Sequence, residues 1–174
     1  MPGYITLITG GVKSGKSDYA LELGREHGSQ HAFIATATAG DDEMRLKIAA
    51  HKACRSGRWQ TYEEPFAIAS VLQRIGHDYT AVIIDCMTLW VSNLLTLRNL
   101  ADDEIEAAFS GLIEALNHAA CQVIIVTNEV GLGVMPADRL ARRYQNQLGA
   151  VNRRIAGVSD SVYMMISGIP VKIK

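Results

Sequence analysis

The residues with the clearest chemical meaning form an eight-residue stretch near the start of the chain. The stretch matches the pattern G-x-x-x-x-G-K-[ST] and consists of Gly10, Gly11, Val12, Lys13, Ser14, Gly15, Lys16 and Ser17. Glycines open backbone conformations in which successive N–H groups turn toward phosphate oxygens. The lysine would reach the β- and γ-phosphates of a nucleotide, and the Ser17 hydroxyl would ligate magnesium. The stretch therefore predicts a phosphate-binding loop (P-loop).

A loop of this kind works with a carboxylate at the end of a nearby strand, where it holds the water shell of the metal. Asp85 closes the apolar run AVIID and is the first candidate. Glu129, just beyond a second apolar run at 122–127, is the other candidate. An aspartate in the position of Asp85 could instead cap a following helix. We expect Asp85 to serve the metal.

A second group of candidate residues lies on a predicted helix over 41–55. Lys47, His51 and Arg55 stand at i, i+4 and i+8, so they share one face of that helix. Neighbouring cations favour the neutral, nucleophilic form of an imidazole, and they would also hold the phosphates that it attacks. The alternative is a solvated basic helix face with an incidental histidine. On the spacing alone, the solvated basic face is the favoured interpretation.

Another basic cluster lies on a predicted helix over 137–156 and consists of Arg139, Arg142, Arg143, Arg153 and Arg154. Arg139 with Arg142 or Arg143 forms a pair on one face that suits a phosphate. A solvated face is an equally good interpretation.

The elements that must position these residues alternate along the chain. Apolar, β-branched runs predict strands at 4–9, 31–36, 81–85, 122–127, 161–166 and 171–173. Helical spacing predicts helices at 17–26, 41–55, 102–119 and 137–156. Strands without polar alternation suit a parallel sheet covered on both faces. The predicted fold is therefore α/β, a P-loop NTPase-like, doubly wound and mostly parallel sheet with helices on both faces.

Composition limits the classes of protein that need considering. The chain has 174 residues, enough for about one domain over 1–174. Its formal net charge of −1 argues against nucleic-acid binding through bulk positive potential. No apolar run approaches the ~18 residues of a membrane span. Cys54, Cys86 and Cys121 form no CxxC pair, so we expect no zinc site or disulfide framework, and a cytoplasmic location.

The phosphate loop indicates a nucleotide without indicating what is done with it. The sequence contains neither D-x-x-G nor N-K-x-D, the usual motifs of a guanine-nucleotide switch. A kinase or nucleotidyltransferase for a small molecule fits a chain of this size better. A P-loop kinase of another small metabolite and a nucleotide-dependent regulatory binding protein are the alternatives.

Several motifs together resemble one family, the bifunctional adenosylcobinamide kinase/adenosylcobinamide-phosphate guanylyltransferases of cobalamin biosynthesis. The resembling stretches run in order along the chain and are TGGVKSGKS (9–17), IAT (34–36), DDEM (41–44), IAAHK (48–52), TNEVGLGVMP (127–136), NR (152–153), SG (167–168) and VKIK (171–174). Lys13 stands where the family often has arginine, and Asp85 where some members have glutamate.

The resemblance implies two reactions. One phosphorylates adenosylcobinamide from GTP or ATP, and the other transfers GMP from GTP to adenosylcobinamide-phosphate through a GMP-histidine intermediate on His51. It also implies Mg2+ and a homotrimer. Its nucleotide contacts fall on the phosphate loop and on Ile34, Ala35, Thr36, Lys52, Ala53, Cys54, Arg55, Glu63 and Asp85. Of the two adjacent glutamates, the resemblance places this contact on Glu63 in preference to Glu64.

Overall fold

Short apolar runs of the sequence form the centre of a seven-stranded sheet in the computed structural model, which describes residues 3–40 and 57–174. The strands lie in the order β3-β2-β4-β5-β1-β6-β7, and every neighbouring pair is parallel except the antiparallel pair of β6 and β7. Their bounds are β1 Ile5–Gly10, β2 His31–Ala35, β3 Trp59–Glu63, β4 Ala81–Asp85, β5 Gln122–Val126, β6 Ser161–Ile166 and β7 Ile169–Lys172.

Helices cover both faces of this sheet. The helices of the described ranges are α1 Lys16–Arg25, α2 Ile68–Ile75, α3 Met87–Thr96, α4 Asp102–His118 and α5 Arg139–Val158. Helix α1 packs against one face, in a cluster with Ile8, Phe33 and Ile83. The other four pack against the opposite face, where Leu7 and Ile84 are buried. Since both faces are covered, the strands are apolar on both sides, as expected for the predicted α/β class, which is confirmed.

Two of the helices in the described ranges, α4 and α5, begin at carboxylates that accept hydrogen bonds from backbone amides of the first turn or of the residue before it. The Asp138 carboxylate accepts a hydrogen bond of 2.8 Å from the backbone N–H of Ala141 at the start of α5. At the start of α4, Glu104 accepts one of 2.8 Å from the N–H of Ala101. These carboxylates satisfy amides that have no partner within the helix, and they complement the positive helix end.

Most predicted elements occur within two residues of their expected bounds. The last strand begins earlier, at Ile169 instead of 171. The predicted helix over 41–55 lies outside the described residues. No helix in the described ranges is long and apolar enough to cross a membrane.

Three elements have no counterpart in the sequence-based prediction. Strand β3 lies at the sheet edge and is half polar, so it lacks a continuous apolar run. Helix α2 has only eight residues. Helix α3 buries most of its surface, and its near-continuous apolar sequence lacks the periodicity that marks an amphipathic helix.

Candidate nucleotide site

The phosphate loop joins the end of β1 to the start of α1 at the carboxyl edge of the sheet. Its backbone takes positive φ at three positions: 144° at Gly10, 57° at Lys13 and 90° at Gly15. The N–H of Ser14 donates to the carbonyl of Gly11 over 3.3 Å, which closes the turn. Val12 is 80% exposed at the tip. The loop thus has the strand–loop–helix setting that phosphate binding requires.

Two glycines of the loop are required by their surroundings. A Cβ on Gly10 would lie 2.6 Å from the carbonyl oxygen of Met165, and one on Gly15 would lie 3.3 Å from Cα of Gly168. Gly168 belongs to the turn between β6 and β7, and its N–H donates to the Ser14 carbonyl over 3.1 Å. The β6–β7 turn therefore packs directly on the phosphate loop.

Lys16 is buried inside the loop, with only 8% of its surface exposed. Its ammonium group donates to the carbonyl of Gly11 and, over 3.4 Å, to the hydroxyl of Ser14. Burial lowers the pKa of Lys16, and the negative charge of the nearby Asp85 carboxylate acts in the opposite direction. A desolvated ammonium beside a ring of backbone dipoles is a strong attractor for phosphate oxygens.

The two predicted metal-holding residues lie next to each other. The Ser17 hydroxyl donates to the Asp85 carboxylate over 2.7 Å, although the residues are 68 positions apart. Ser17 lies in the first turn of α1 beside the loop, and Asp85 ends β4. A hydroxyl and a carboxylate are hard oxygen ligands of the kind that Mg2+ takes in nucleotide enzymes. The donor set fits magnesium.

The predicted contacts at the end of β2 hold the strand ends together. The Thr36 hydroxyl accepts from the backbone N–H of Cys86 and donates to its carbonyl, both over 2.8 Å. The side-chain amide of Asn93 donates to the Thr36 carbonyl over 2.8 Å. Ile34 is fully buried in the core, while Ala35 is half-buried and pairs in register with Asp85. Ile34 and Thr36 thus support the site from within, and nucleotide contact stays a prediction.

Two adjacent glutamates at the end of β3, Glu63 and Glu64, have different surroundings. The Glu64 carboxylate accepts hydrogen bonds from the N–H groups of Phe66 and Ala67, at 2.9 and 2.8 Å, in the turn just before α2. Glu63 is exposed at the carboxyl end of β3, paired in register with Ala35. The Glu64 carboxylate is thus engaged within the fold, and nucleotide contact by Glu63 stays a prediction.

Several predicted site residues fall on the part of the chain that the structure does not describe: His51, Lys52, Ala53, Cys54 and Arg55. The other carboxylate candidate, Glu129, lies beside the phosphate loop, because its N–H donates to the Gly10 carbonyl over 3.2 Å. Its carboxylate accepts from the N–H of Gly131 over 3.0 Å.

The arginine cluster of α5 is mostly engaged within the fold. Arg143 pairs with Asp102 at 2.8 Å, and Arg154 pairs with Glu106, so both join α5 to α4. Arg142 donates to the Pro136 carbonyl over 3.0 Å. These contacts give the cluster a structural role and disfavour the predicted phosphate pair.

Sequence reasoning missed the contribution of the β6–β7 turn to this site. Ser167 and Gly168 have φ of 51° and 85°. Two successive positive φ values are typical of a tight hairpin turn, and a Ser-Gly pair between apolar runs signals such a turn. The contact of that turn with the phosphate loop joins residues more than 150 positions apart, and no local pattern reports it.

A glycine-rich loop with a buried lysine, between a parallel strand and a helix and facing a strand-end carboxylate, defines a P-loop nucleotide-binding protein of the α/β class. The model of the cobinamide kinase / cobinamide phosphate guanyltransferase family, CobU, matches residues 6–173, and the chain belongs to that family.

Curated relatives agree with the family. The chain is 40% identical to the bifunctional adenosylcobalamin biosynthesis protein CobP of Pseudomonas aeruginosa, over 97% of this chain and 96% of that protein. It is 36% identical to the bifunctional adenosylcobalamin biosynthesis protein CobU of Salmonella typhimurium, over 97% and 98%. Among solved structures, the RadB recombinase aligns with a TM-score of 0.49 and 14% identity, over 94% of this chain and 74% of that one. The chain is therefore a member of a family of bifunctional enzymes of cobalamin biosynthesis.

Proposed function

We propose that this chain phosphorylates adenosylcobinamide from a nucleoside triphosphate, GTP or ATP, and then transfers GMP from GTP to the product. The second reaction gives adenosylcobinamide-GDP and pyrophosphate. Membership of the family supports both reactions. The observation that carries the proposal is the phosphate loop, in which Lys16 is buried against loop acceptors and Ser17 contacts Asp85.

The triphosphate is held by the backbone N–H groups of residues 10–17 and by Lys16. Ser17 and Asp85 would hold Mg2+, which neutralises charge on the phosphates when bound. Because Lys16 is already desolvated, its charge acts on the phosphates in a medium of low effective dielectric. Glu63 and the residues Lys52 to Arg55 complete the proposed nucleotide contacts.

His51 is the proposed nucleophile of the guanylyl transfer. An imidazole nitrogen attacks the α-phosphorus of GTP, so that an N–P bond forms, the bond from phosphorus to the bridging oxygen breaks, and pyrophosphate leaves. A phosphate oxygen of adenosylcobinamide-phosphate then attacks the same phosphorus, the N–P bond breaks, and the imidazole leaves as the neutral base, because its other nitrogen has kept its proton. Kinase activity needs attack at the γ-phosphorus by the acceptor hydroxyl, so one loop must present nucleotide in two ways.

The assembly and location of the enzyme are part of the proposal. We infer a homotrimer of chains that each act as one nucleotide-binding domain over 1–174, as the resemblance to the family implies. A cytoplasmic location is supported by the three cysteines without a paired motif.

The test is incubation with Mg2+ and GTP labelled on the α-phosphate or the γ-phosphate, followed by denaturing electrophoresis. We expect acid-labile, base-stable label from the α position alone. His51→Ala should abolish the label and retain some kinase activity. His118→Ala is the matched control, because His118 ends α4 at the opposite edge of the sheet and bonds only to the Glu114 carbonyl in the described structure. It should label like the unmodified protein.

Three outcomes would contradict the proposal. Absence of covalent label from folded protein that binds GTP would leave a P-loop kinase of another acceptor. Equal loss of both activities in His51→Ala would make His51 structural. Turnover without any corrinoid would instead favour a regulatory nucleotide-binding protein.

A further inference from the structure

An exposed apolar segment lies between β5 and α5. We call residues 131–135, with the sequence GLGVM, the apolar loop. Leu132 is 77% exposed, Val134 95% and Met135 67%. Three large, exposed apolar side chains within four residues are a concentration of apolar surface of the kind that marks a binding site.

The apolar loop begins beside the phosphate loop. Strands β5 and β1 are parallel neighbours, so the segments that follow them emerge at the same edge of the sheet. The N–H of Glu129 donates to the carbonyl of Gly10 over 3.2 Å, two residues before the apolar loop starts. A molecule resting on the apolar loop can therefore extend a side chain to the phosphates of a nucleotide.

Both ends of the apolar loop are fixed to the fold. The Gln145 side-chain amide donates to the Val130 carbonyl over 2.9 Å at one end. At the other end, Arg142 donates to the Pro136 carbonyl over 3.0 Å. Both donors lie on α5, so this helix holds the two ends of the apolar loop in place.

A hollow of about 520 Å3 separates the apolar loop from α5, and Met135, Asn146 and Arg153 are among the residues that line it. The amide of Asn146 and the guanidinium of Arg153 form no hydrogen bond within residues 3–40 and 57–174. Asn146 offers a donor and an acceptor, and Arg153 offers donors only. The hollow thus places polar groups beside the exposed apolar side chains.

We propose that the apolar loop and this hollow bind the corrin macrocycle of the acceptor, an inference that rests on the proposed function. A corrin is a wide ring with apolar faces and a rim of carboxamides. The apolar faces of the ring pack against Leu132, Val134 and Met135. The carboxamides of the rim form hydrogen bonds with the side chains of Asn146 and Arg153. A broad, open surface suits a ring of this size better than a closed pocket does.

The test measures binding and catalysis in one triple variant, Leu132→Ser with Val134→Ser and Met135→Ser. All three side chains are exposed, so the fold should tolerate the change. Equilibrium dialysis with adenosylcobinamide, read by the visible absorbance of the corrin, gives the Kd. We expect Kd to rise by about tenfold or more, which corresponds to ~1.4 kcal/mol of lost contact. The Kd for GTP should stay within about twofold, a change of under ~0.5 kcal/mol.

The matched control carries Leu97→Ser and Ile173→Ser, two apolar side chains that are 58% and 61% exposed elsewhere on the surface. It should bind adenosylcobinamide like the unmodified protein. Sedimentation velocity on all three proteins follows the oligomeric state. Arg153→Gln tests the rim separately and should raise Kd for the corrinoid by a few fold.

The outcomes separate this inference from the proposed function. If the unmodified protein binds no adenosylcobinamide and does not turn it over, the proposed function fails. If it binds the corrinoid and the triple variant binds it equally well, the proposed function stands and the inference is wrong. If the triple variant changes its oligomeric state while each assembled form retains corrinoid affinity, the apolar loop is an interface between copies of the chain, and the inference is again wrong.

Discussion

Two glycine-containing loops leave the same edge of the sheet from neighbouring strands, and they differ in almost every other respect. The phosphate loop follows β1 and has a buried lysine, three positive φ angles and contacts to the β6–β7 turn. The apolar loop follows β5, is fixed at its two ends, and exposes Leu132, Val134 and Met135. One loop turns its polar backbone inward, and the other turns apolar side chains outward.

The glycines show what this difference means. A side chain on Gly10 would meet backbone and side-chain atoms within 3 Å, whereas one on Gly133 would meet nothing within 4 Å. The fold around Gly10 therefore requires glycine, and the fold around Gly133 does not. A phosphate group has one small, constant shape and suits a fixed loop. A large macrocycle suits an open surface with side chains free to adapt.

The largest expected effect comes from removing the charge inside the phosphate loop. Lys16→Ala should lower both kinase and guanylyl-transfer rates by about 10²–10³, the range found when a preorganised electrostatic group is removed from an active site. The measurement is kcat/KM for each reaction. Lys172→Ala, on the exposed strand β7, is the matched control and should keep both rates. A Lys16→Ala enzyme with either rate intact would show that the loop holds phosphate without its lysine.

The next effect compares one substitution in the two loops. Gly10→Ala should destabilise the protein by about 3 kcal/mol, because φ is 144° and the new Cβ would lie 2.6 Å from a carbonyl oxygen. Thermal unfolding should then shift down by roughly 6–12 °C. Gly133→Ala should change stability by less than about 0.5 kcal/mol. Similar shifts for both would remove the contrast between the loops.

A smaller effect is expected from the turn that supports the phosphate loop. Gly168→Ala places a side chain at a φ of 85°, which lowers the stability of the protein by about 1 kcal/mol or more. It also shifts the Gly168 N–H, which donates to the Ser14 carbonyl. We expect KM for GTP to rise a few fold, with kcat less affected. Gly111→Ala lies inside α4 with open space around it and should leave KM unchanged. An unchanged KM in Gly168→Ala would show that the turn does not position the loop.

The last comparison concerns cysteine reactivity, which reports how deeply each thiol is buried. Burial raises the pKa of Cys86 to about 12 and that of Cys121 to about 11. At pH 8 their thiolate fractions are then about 10⁻⁴ and 10⁻³, and each rises tenfold per pH unit until the pKa is reached. In a Cys54→Ser background, both thiols should react slowly with a thiol reagent.

A cysteine placed in the apolar loop supplies the contrast. Val134→Cys, in the same Cys54→Ser background, should react at least about a hundredfold faster than the native thiols at pH 8, since an exposed thiol has a pKa near 8.5. Unfolding the protein in denaturant should bring all the thiols to similar rates. Slow reaction of Val134→Cys in the folded protein would mean that the apolar loop is covered.

Much of the fold could be predicted because central parallel strands are continuous apolar runs. The strands ending at Gly10, Asp85 and Val126 all fall near their expected bounds. The edge strand β3 and the buried helix α3 could not be predicted, because their sequences lack the periodicity of an element with one solvent face.

The candidate site was predictable to the extent that it is local. The phosphate loop is contiguous, so its pattern is visible in the sequence. The Ser17–Asp85 contact could be proposed only because P-loop proteins need a strand-end carboxylate. The hydrogen bond between the Thr36 hydroxyl and the Cys86 backbone was not predicted. The contact of Gly168 with Ser14 depends on sheet order, which sequence patterns do not report.

The central claim is that the phosphate loop binds the nucleotide and the apolar loop binds the corrin. Its most direct test is a rapid-mixing measurement of GMP transfer in two stages. The first stage follows GMP–enzyme formation from α-labelled GTP without acceptor, and the second follows discharge of the label to adenosylcobinamide-phosphate. We expect Lys16→Ala to lose the first stage. The Leu132→Ser, Val134→Ser, Met135→Ser variant should form GMP–enzyme normally and discharge it at least about tenfold more slowly at limiting acceptor. Equal loss of the first stage in both variants would contradict this claim.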